Sequence, residues 1–326
     1  MRKPHLILPP PTGGMNLAKR PTGITMALVV LLIAMTLMTV PSFIADPSLI
    51  KTSVTSPDAV NAALMGRENR LVNLLSFAVA LGVIWIWLQA KERRRFSTLG
   101  FERDGQNGRR ILRGAAAGLG LVTVCVLVPV VTGQATLSWR ASEIGADGLL
   151  FVALMLLGFL VQGSTEEILL RGFITQAVAR RWGLIAAVIV QAVLFAAIHG
   201  ANPGMGLVPF VNLVLFAFFA TAWTLAEGSL WGICAWHGVW NWAQGNVFGV
   251  KVSGTTVEDS IFSFTPNTGS HDLITGGAFG IEGSLVTSAV LLIAIVFLWR
   301  KFRASRRERL AEVTAETTSS SPAASA

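Results

Sequence analysis

The sequence is 326 residues long, and 52% of its residues are hydrophobic while only 13% are charged. The mean hydropathy of the whole chain is +0.61, which excludes a soluble globular protein because a soluble domain cannot bury so much apolar surface. The formal net charge of +8 at pH 7 would favour a nucleic-acid partner in a soluble protein. Here we expect membrane lipids as partners and no nucleic acid, because the basic residues are concentrated where anionic headgroups would meet them.

Apolar, nearly uncharged segments recur along the chain, each close to the roughly 18 to 20 residues that a helix needs to cross about 30 Å of hydrocarbon. We therefore predict an all-α fold, a polytopic transmembrane helical bundle with about eight spans. The predicted spans are 23–44, 71–90, 111–131, 148–179, 182–199, 206–226, 230–248 and 279–299.

Lysine and arginine are concentrated in alternate connections between these spans. The other connections contain fewer basic residues or mix them with acidic ones, so the positive-inside rule predicts a multi-pass protein of the plasma (cell) membrane with both termini in the cytoplasm. The basic groups are Lys19 and Arg20 before the first span, residues 91–110 after the second, Arg180 and Arg181 after the fourth, and residues 300–309 after the last.

Ionisable residues inside the apolar spans are few, and each costs free energy there unless it faces a wet cavity or a partner. They occur mainly on three of the eight predicted spans. These residues are Glu166, Glu167 and Arg171 on the fourth span, His199 at the end of the fifth, and His237 on the seventh, where the polar but uncharged Asn241 follows.

The fourth and fifth spans are predicted to form an antiparallel hairpin that turns near Trp182. Glu166 and His199 are almost equally far from that turn, about 25 Å along each helix at roughly 1.5 Å per residue. His237 and Asn241 are four residues apart and share one helix face. The pattern therefore predicts one polar cluster between helices.

Three motifs in this region resemble the CAAX-protease and bacteriocin-processing family of intramembrane peptidases, also called the Abi family. The family pattern is Glu-Glu-x-x-x-Arg, then Phe-x-x-x-His, then His-x-x-x-Asn. The chain matches it in order, over about residues 148–248, and residues 96–100 and 275–284 are also similar to segments of family members. The matching residues are Glu166, Glu167 and Arg171, then Phe195 and His199, then His237 and Asn241.

By this resemblance and by chemistry, Glu166 is expected to be the general base of peptide hydrolysis, and His199 would orient the same water. His237 and Asn241 would stabilise the oxyanion. Glu167 and Arg171 would support the site as an internal ion pair; contact with a substrate carboxylate is the alternative role for Arg171.

Zinc chemistry is the alternative mechanism, since Glu166, His199 and His237 are a possible ligand set for zinc or another divalent metal. The chain lacks the His-Glu-x-x-His helix of many zinc peptidases. Asparagine is a poor zinc ligand but a good oxyanion donor. We therefore favour a mechanism without a cofactor.

Two other classes of function are compatible with buried carboxylates and histidines. In a proton-coupled transporter these residues build proton relays, although no repeated halves are present. In a non-catalytic immunity or scaffold protein they only hold helices together. If the protein is a peptidase, its substrate is a peptide or a membrane-anchored protein.

The predicted organisation is one membrane domain with two tails. Its parts are a disordered cytoplasmic N-terminal tail (1–22), accessory spans (23–131), a catalytic transmembrane core (148–250), an extracytoplasmic loop (251–278), a last span (279–299) and a basic, disordered cytoplasmic tail (300–326).

Overall fold

The computed structural model describes residues 14–49, 63–64, 66–101 and 103–319. Their structure is nearly all helical, as predicted, with one two-stranded sheet in addition. In chain order the helices and strands are α1 Ile24–Leu37, α2 Val40–Ala45, α3 Arg67–Trp87, α4 Asn107–Val131, β1 Ala135–Trp139, α5 Ala141–Glu167, α6 Thr175–Trp182, α7 Leu184–Ile198, α8 Leu207–Glu227, α9 Trp231–Trp242, β2 Phe262–Pro266, α10 Asp272–Thr275 and α11 Leu285–Ser319.

Five helical segments of the described chain are long and apolar enough to cross a membrane, so the predicted total of eight is not confirmed. Two of the three remaining predicted spans fall on helices that are shorter than a bilayer, since α7 is 15 residues long and α9 is 12. The third, 279–299, falls on α11 and the segment before it. Helix α9 is largely buried within the protein, where a full hydrocarbon-spanning length is not required. The five segments are Ile24–Ala45, Asn69–Glu92, Asn107–Val131, Ala141–Trp182 and Leu207–Glu227.

Large apolar side chains cover the outside of the helical bundle. Leu32, Leu112, Ile185 and Ile293 are all more than 60% exposed. This is the reverse of a soluble protein, and it fits a surface that faces lipid.

Both predicted tails differ from the structure within the described residues. Residues 14–17 form a 3-10 helix, and Met15 and Thr22 are buried. Helix α11 continues to Ser319, because Ala, Glu and Arg after the apolar run favour helix and extend the turn already formed. The predictions for residues 1–13 and 320–326 lie outside the described residues.

Glycines bring three helices of the core into close contact. Gly114 and Gly118 of α4 lie against the backbone of α9 at Gly232 and Trp236. Gly163 of α5 lies so close to α9 that an added Cβ would be 3.0 Å from Cγ of His237. Such small residues let helix backbones approach within a membrane, and they place the residues of α5 directly beside those of α9.

The segment predicted as an extracytoplasmic loop is structured. Strand β2 pairs antiparallel with β1, with Ala135 opposite Pro266 and Trp139 opposite Phe262. Sequence analysis did not predict this pairing, because the two strands are separated by five helices along the chain. The sheet and the turns on either side of β2 close one end of the bundle.

Candidate active site

Glu166 and Glu167 end helix α5 at a change of helix type. Residues Ile168–Ile174 are a π-helix, in which the backbone N–H of Thr175 bonds to the carbonyl of Leu170. A π-turn widens the helix locally and is common at functional sites. A second π-helix, Ala243–Val247, follows Asn241 at the end of α9. Both irregular segments therefore adjoin residues of the predicted site.

The carboxylate of Glu166 faces two histidine rings. Its Oε2 atom is 4.0 Å from Nε2 of His199 and 3.8 Å from Nε2 of His237. No hydrogen bond from a described residue reaches this buried oxygen. These separations are longer than a direct hydrogen bond, so Oε2 and the two ring nitrogens surround a shared point rather than bonding to one another.

Each histidine is oriented by its other ring nitrogen. Nδ1 of His199 is 2.7 Å from the carbonyl oxygen of Phe195, and Nδ1 of His237 is 2.8 Å from Oε1 of Glu167. Both partners accept hydrogen bonds, so each Nδ1 carries a proton and donates it. In the neutral rings both Nε2 lone pairs therefore point toward Glu166.

Glu167 connects the helices as well as holding His237. Its Oε1 atom is also 3.3 Å from Nη1 of Arg171, and both side chains are almost completely buried. The predicted internal ion pair is thus present in the geometry. Sequence reasoning missed the hydrogen bond from His237 to Glu167. The available signal was the glycines Gly163 and Gly238, which allow α5 and α9 to approach closely.

Gln162 links Glu166, the candidate general base, to Asn241, a candidate donor to the oxyanion. Its Nε2 atom donates to Oε1 of Glu166 at 2.5 Å, and its Oε1 accepts from Nδ2 of Asn241 at 3.0 Å. Sequence reasoning did not select Gln162. Its position four residues before Glu166 places it on the same helix face, which was the available signal.

Aromatic rings fix the histidines from the other side. Phe195 stacks on Phe216 with 5.2 Å between ring centroids, and Phe216 meets the ring of His237 edge-on at 4.8 Å. The guanidinium of Arg171 lies 4.6 Å from the centroid of Phe195. Arg171 does not line the cavity described below, so the structure favours its role as an internal partner over contact with a substrate carboxylate.

A cavity of about 230 Å³ lies beside this cluster, and Glu166, His199, His237 and Asn241 all line it. Apolar residues of α1 and α3, including Met35 and Phe77, form one wall together with Met38 directly after α1. The four predicted catalytic side chains therefore share a single concave site, the arrangement expected of an active site.

The turn at residues 252–255 forms another wall of the cavity. Oε2 of Glu282 accepts hydrogen bonds from N of Ser253 at 2.6 Å, from its Oγ at 3.1 Å, and from Nε2 of Gln244 at 3.2 Å. Ser253 has φ of 47°, a left-handed conformation that those bonds help to hold. Burial raises the pKa of Glu282, while the bond from the Ser253 amide acts in the opposite direction.

The donor atoms of Glu166, His199 and His237 are chemically suited to zinc, and outer hydrogen bonds from Nδ1 are typical of metal-binding histidines. In the described part of the chain, however, no group of three or more His, Cys, Asp or Glu side chains is arranged to hold a metal ion. The donor types fit a metal, and the mechanism without a cofactor therefore stays a prediction.

A model of a known protein family matches part of the chain. Residues 148–243 match the family described as Rce1-like, type II CAAX prenyl endopeptidase. The matched region contains all seven residues of the three motifs, and it confirms the resemblance seen in the sequence. Searches of curated proteins and of solved structures gave no significant match.

Proposed function

We propose that this membrane protein, which carries an Rce1-like domain at residues 148–243, is an intramembrane endopeptidase. It hydrolyses peptide bonds in membrane-associated peptides or proteins. The observation that carries the proposal is the position of Glu166, whose Oε2 faces two Nε2 atoms at 3.8 and 4.0 Å on the wall of a cavity. A water molecule at that point can bond to the carboxylate and to a ring nitrogen at once.

Glu166 and His199 activate this water. The Nε2 lone pair of His199 accepts one water hydrogen, while Glu166 removes the other proton as the oxygen attacks the peptide carbonyl carbon. The carboxyl proton of Glu166 then passes to the nitrogen of the leaving amine as the carbon–nitrogen bond breaks. One carboxylate thus serves in turn as base and acid, and it returns to its starting state.

Asn241 and His237 stabilise the oxyanion. Asn241 uses one amide hydrogen to bond Gln162, so its second hydrogen is available to the substrate oxygen. His237 donates from Nε2 when both ring nitrogens carry protons, with Glu167 as the partner of Nδ1. Donors held in place before the reaction are effective because no reorganisation is needed in the transition state.

The first experiment is cleavage of a quenched-fluorescence peptide library by the purified protein in lipid nanodiscs. Wild type is compared with Glu166→Gln and His199→Ala, with and without a strong chelator. Cleavage by wild type and its loss in both variants support the peptidase. Cleavage that survives the chelator supports glutamate chemistry, and loss that zinc restores supports a site of Glu166, His199 and His237.

Absence of cleavage by folded wild type across diverse peptides would contradict the peptidase. The transporter alternative predicts substrate flux in liposomes instead. The immunity or scaffold alternative predicts that Glu166→Gln keeps its biological effect, because a folded variant retains the helix contacts.

The protein is proposed to reside in the plasma membrane with both termini in the cytoplasm. The support is the distribution of basic residues described above. The substrate class in this proposal is a membrane-anchored polypeptide.

A further inference from the structure

We infer, on the basis of the proposed function, that the catalytic cavity opens toward the extracytoplasmic side and takes polypeptides anchored in the bilayer, cleaving them in its outer half. The structure separates two ends of the helical bundle, which we call the basic end and the cavity end. The argument depends on which helix termini meet at each end.

The basic end is where the lysine- and arginine-rich segments pack together. The backbone N–H of Lys19 donates to the carbonyl of Glu92 at 2.9 Å, which joins the start of α1 to the end of α3. Nη1 of Arg94 donates to Oε1 of Gln176 at 2.6 Å, which adds α6. The positive-inside rule assigns this end to the cytoplasm.

The cavity end is formed by the opposite termini of the same helices. Arg67, the first residue of α3, pairs with Asp259 at 2.7 Å. Asn202, which follows α7, donates to the carbonyl of Ser253 at 3.0 Å, and Arg140 donates to the carbonyl of Glu258 at 2.7 Å. These contacts join the segment after α9 to α3, α5 and α7 on the extracytoplasmic side.

The polar rim of the cavity belongs to this end. Arg70 lies in the first turn of α3 and bonds to Thr255 Oγ1 at 2.8 Å, and the carbonyl of Thr256 accepts a further bond from it. The cavity-lining residues outside the helices come from the segments after α1, after α7 and after α9. They are Met38, His199, Asn202, Val252, Ser253, Thr255 and Glu282.

The depth of the site follows from helix α7. It begins at Leu184, close to Arg180 and Arg181 at the basic end, and it contains 15 residues. At about 1.5 Å per residue it rises roughly 22 Å, whereas the hydrocarbon is about 30 Å thick. His199 at its end therefore lies in the outer half of the membrane, beneath the extracytoplasmic surface.

The residues that line the cavity form an apolar part and a polar part. Apolar side chains of α1 and α3, including Leu31, Met35, Leu74 and Phe77, form the wall beside the catalytic residues, together with Met38 directly after α1. Ser253, Thr255 and Arg70 form the rim. A substrate that matches this division has an apolar anchor in the bilayer, a scissile bond at Glu166 and a polar segment outside. A cytoplasmic lipidated tail does not reach the rim.

The side of the cavity is tested by cysteine labelling in intact cells with a membrane-impermeant maleimide. Thr256→Cys reports the rim and Arg95→Cys reports the basic end; both positions are exposed. Wild type is the background control, since Cys125 and Cys234 are buried.

We expect Thr256→Cys to label at least 10-fold faster than Arg95→Cys, which should react only after detergent is added. Faster labelling of Arg95→Cys, equal labelling, or labelling of Thr256→Cys only in detergent overturns the inference.

The substrate class is tested in sealed proteoliposomes whose orientation is measured with the same labels. The probe is a charged fluorogenic peptide with an acyl anchor, supplied either outside or inside, and the matched probe lacks the anchor. We expect cleavage from the side that labels Thr256→Cys, and a KM at least 10-fold lower for the anchored peptide. Cleavage from the other side, or equal KM values, overturns the substrate class. If neither probe nor the nanodisc library is cleaved, the proposed peptidase fails, while labelling still decides the side of the cavity.

Discussion

Two buried polar clusters lie at different levels of the molecule, and only one has the features of a site. The basic-end cluster contains Glu92, Arg94, Thr98 and Gln176. Arg94 donates to Glu92 at 2.5 Å, to Thr98 at 3.1 Å and to Gln176 at 2.6 Å. Opposite charges are in direct contact there, and the cluster joins three chain segments.

The proposed catalytic cluster contains Glu166, His199, His237 and Asn241. Its carboxylate oxygen meets ring nitrogens at 3.8 and 4.0 Å rather than a cation at bonding distance. A cavity touches all four side chains. Burial of ionisable groups is therefore common to both clusters, whereas a cavity beside the Glu166 carboxylate distinguishes the proposed catalytic cluster.

The largest effect is expected from Glu166→Gln. An amide of the same shape cannot accept the water proton, so the cleavage rate in nanodiscs should fall about 10³-fold or more. Thermal unfolding monitors the fold, which we expect to be retained. A folded variant with more than a tenth of wild-type activity would remove Glu166 from the mechanism.

Asn241→Ala should produce the next largest loss. Removing one oxyanion donor lowers kcat by about 10²-fold with little change in KM, because the donor acts mainly in the transition state. Steady-state kinetics on one library peptide measure both constants. An increase in KM at constant kcat would assign Asn241 to substrate binding instead.

Gln162→Ala should lower kcat by about 10-fold, the size of one lost hydrogen bond. In the proposed mechanism Gln162 positions Glu166 and Asn241 through its two hydrogen bonds and does not itself react. In the Asn241→Ala background the same substitution should cost less than it does alone, because the two side chains act together. Full additivity of the two losses would show that Gln162 does not act through Asn241.

Glu92→Gln is the matched test of the basic-end cluster. Leaving Arg94 without its buried counter-charge should lower the free energy of unfolding by about 3 kcal/mol. The folded fraction should keep kcat within about twofold of wild type, because the cluster does not line the catalytic cavity. A large fall in kcat with unchanged thermal stability would erase the distinction between the clusters.

Glu282→Gln should produce the smallest effect, a change in how the stability of the fold depends on pH. The pKa of Glu282 is raised above its ordinary value of 4.5 by burial, so the folded protein binds this proton more tightly than the unfolded chain. The stability that this proton contributes is present below about pH 4.5 and is lost as pH rises through the raised pKa. Unfolding temperatures measured from pH 4 to pH 8 should show this fall in wild type and a shallower one in the variant. Identical curves for wild type and Glu282→Gln would show that Glu282 does not cause this pH dependence.

Local sequence alone determined the class of the protein and the identity of its central residues. Apolar runs require helices in a bilayer because every backbone polar group must be satisfied within its own segment. The short motifs marked Glu166, His199, His237 and Asn241 because charged and polar side chains are rare at such depth. Helix geometry even placed Glu166 and His199 near one level, and the structure brings them within 4.0 Å.

The tertiary structure decided which atoms face one another. Glu167 bonds His237 across 70 residues of sequence, and this contact depends on glycines of α5 and α9 meeting face to face. The same holds for the pairing of β1 with β2 and for the turn that Glu282 holds against the cavity. Helix periodicity and hydropathy are local properties, so they predict apolar helices, although the predicted total of eight spans is not confirmed. The separation of the two clusters and the side on which the cavity opens depend on contacts between segments that are distant along the chain.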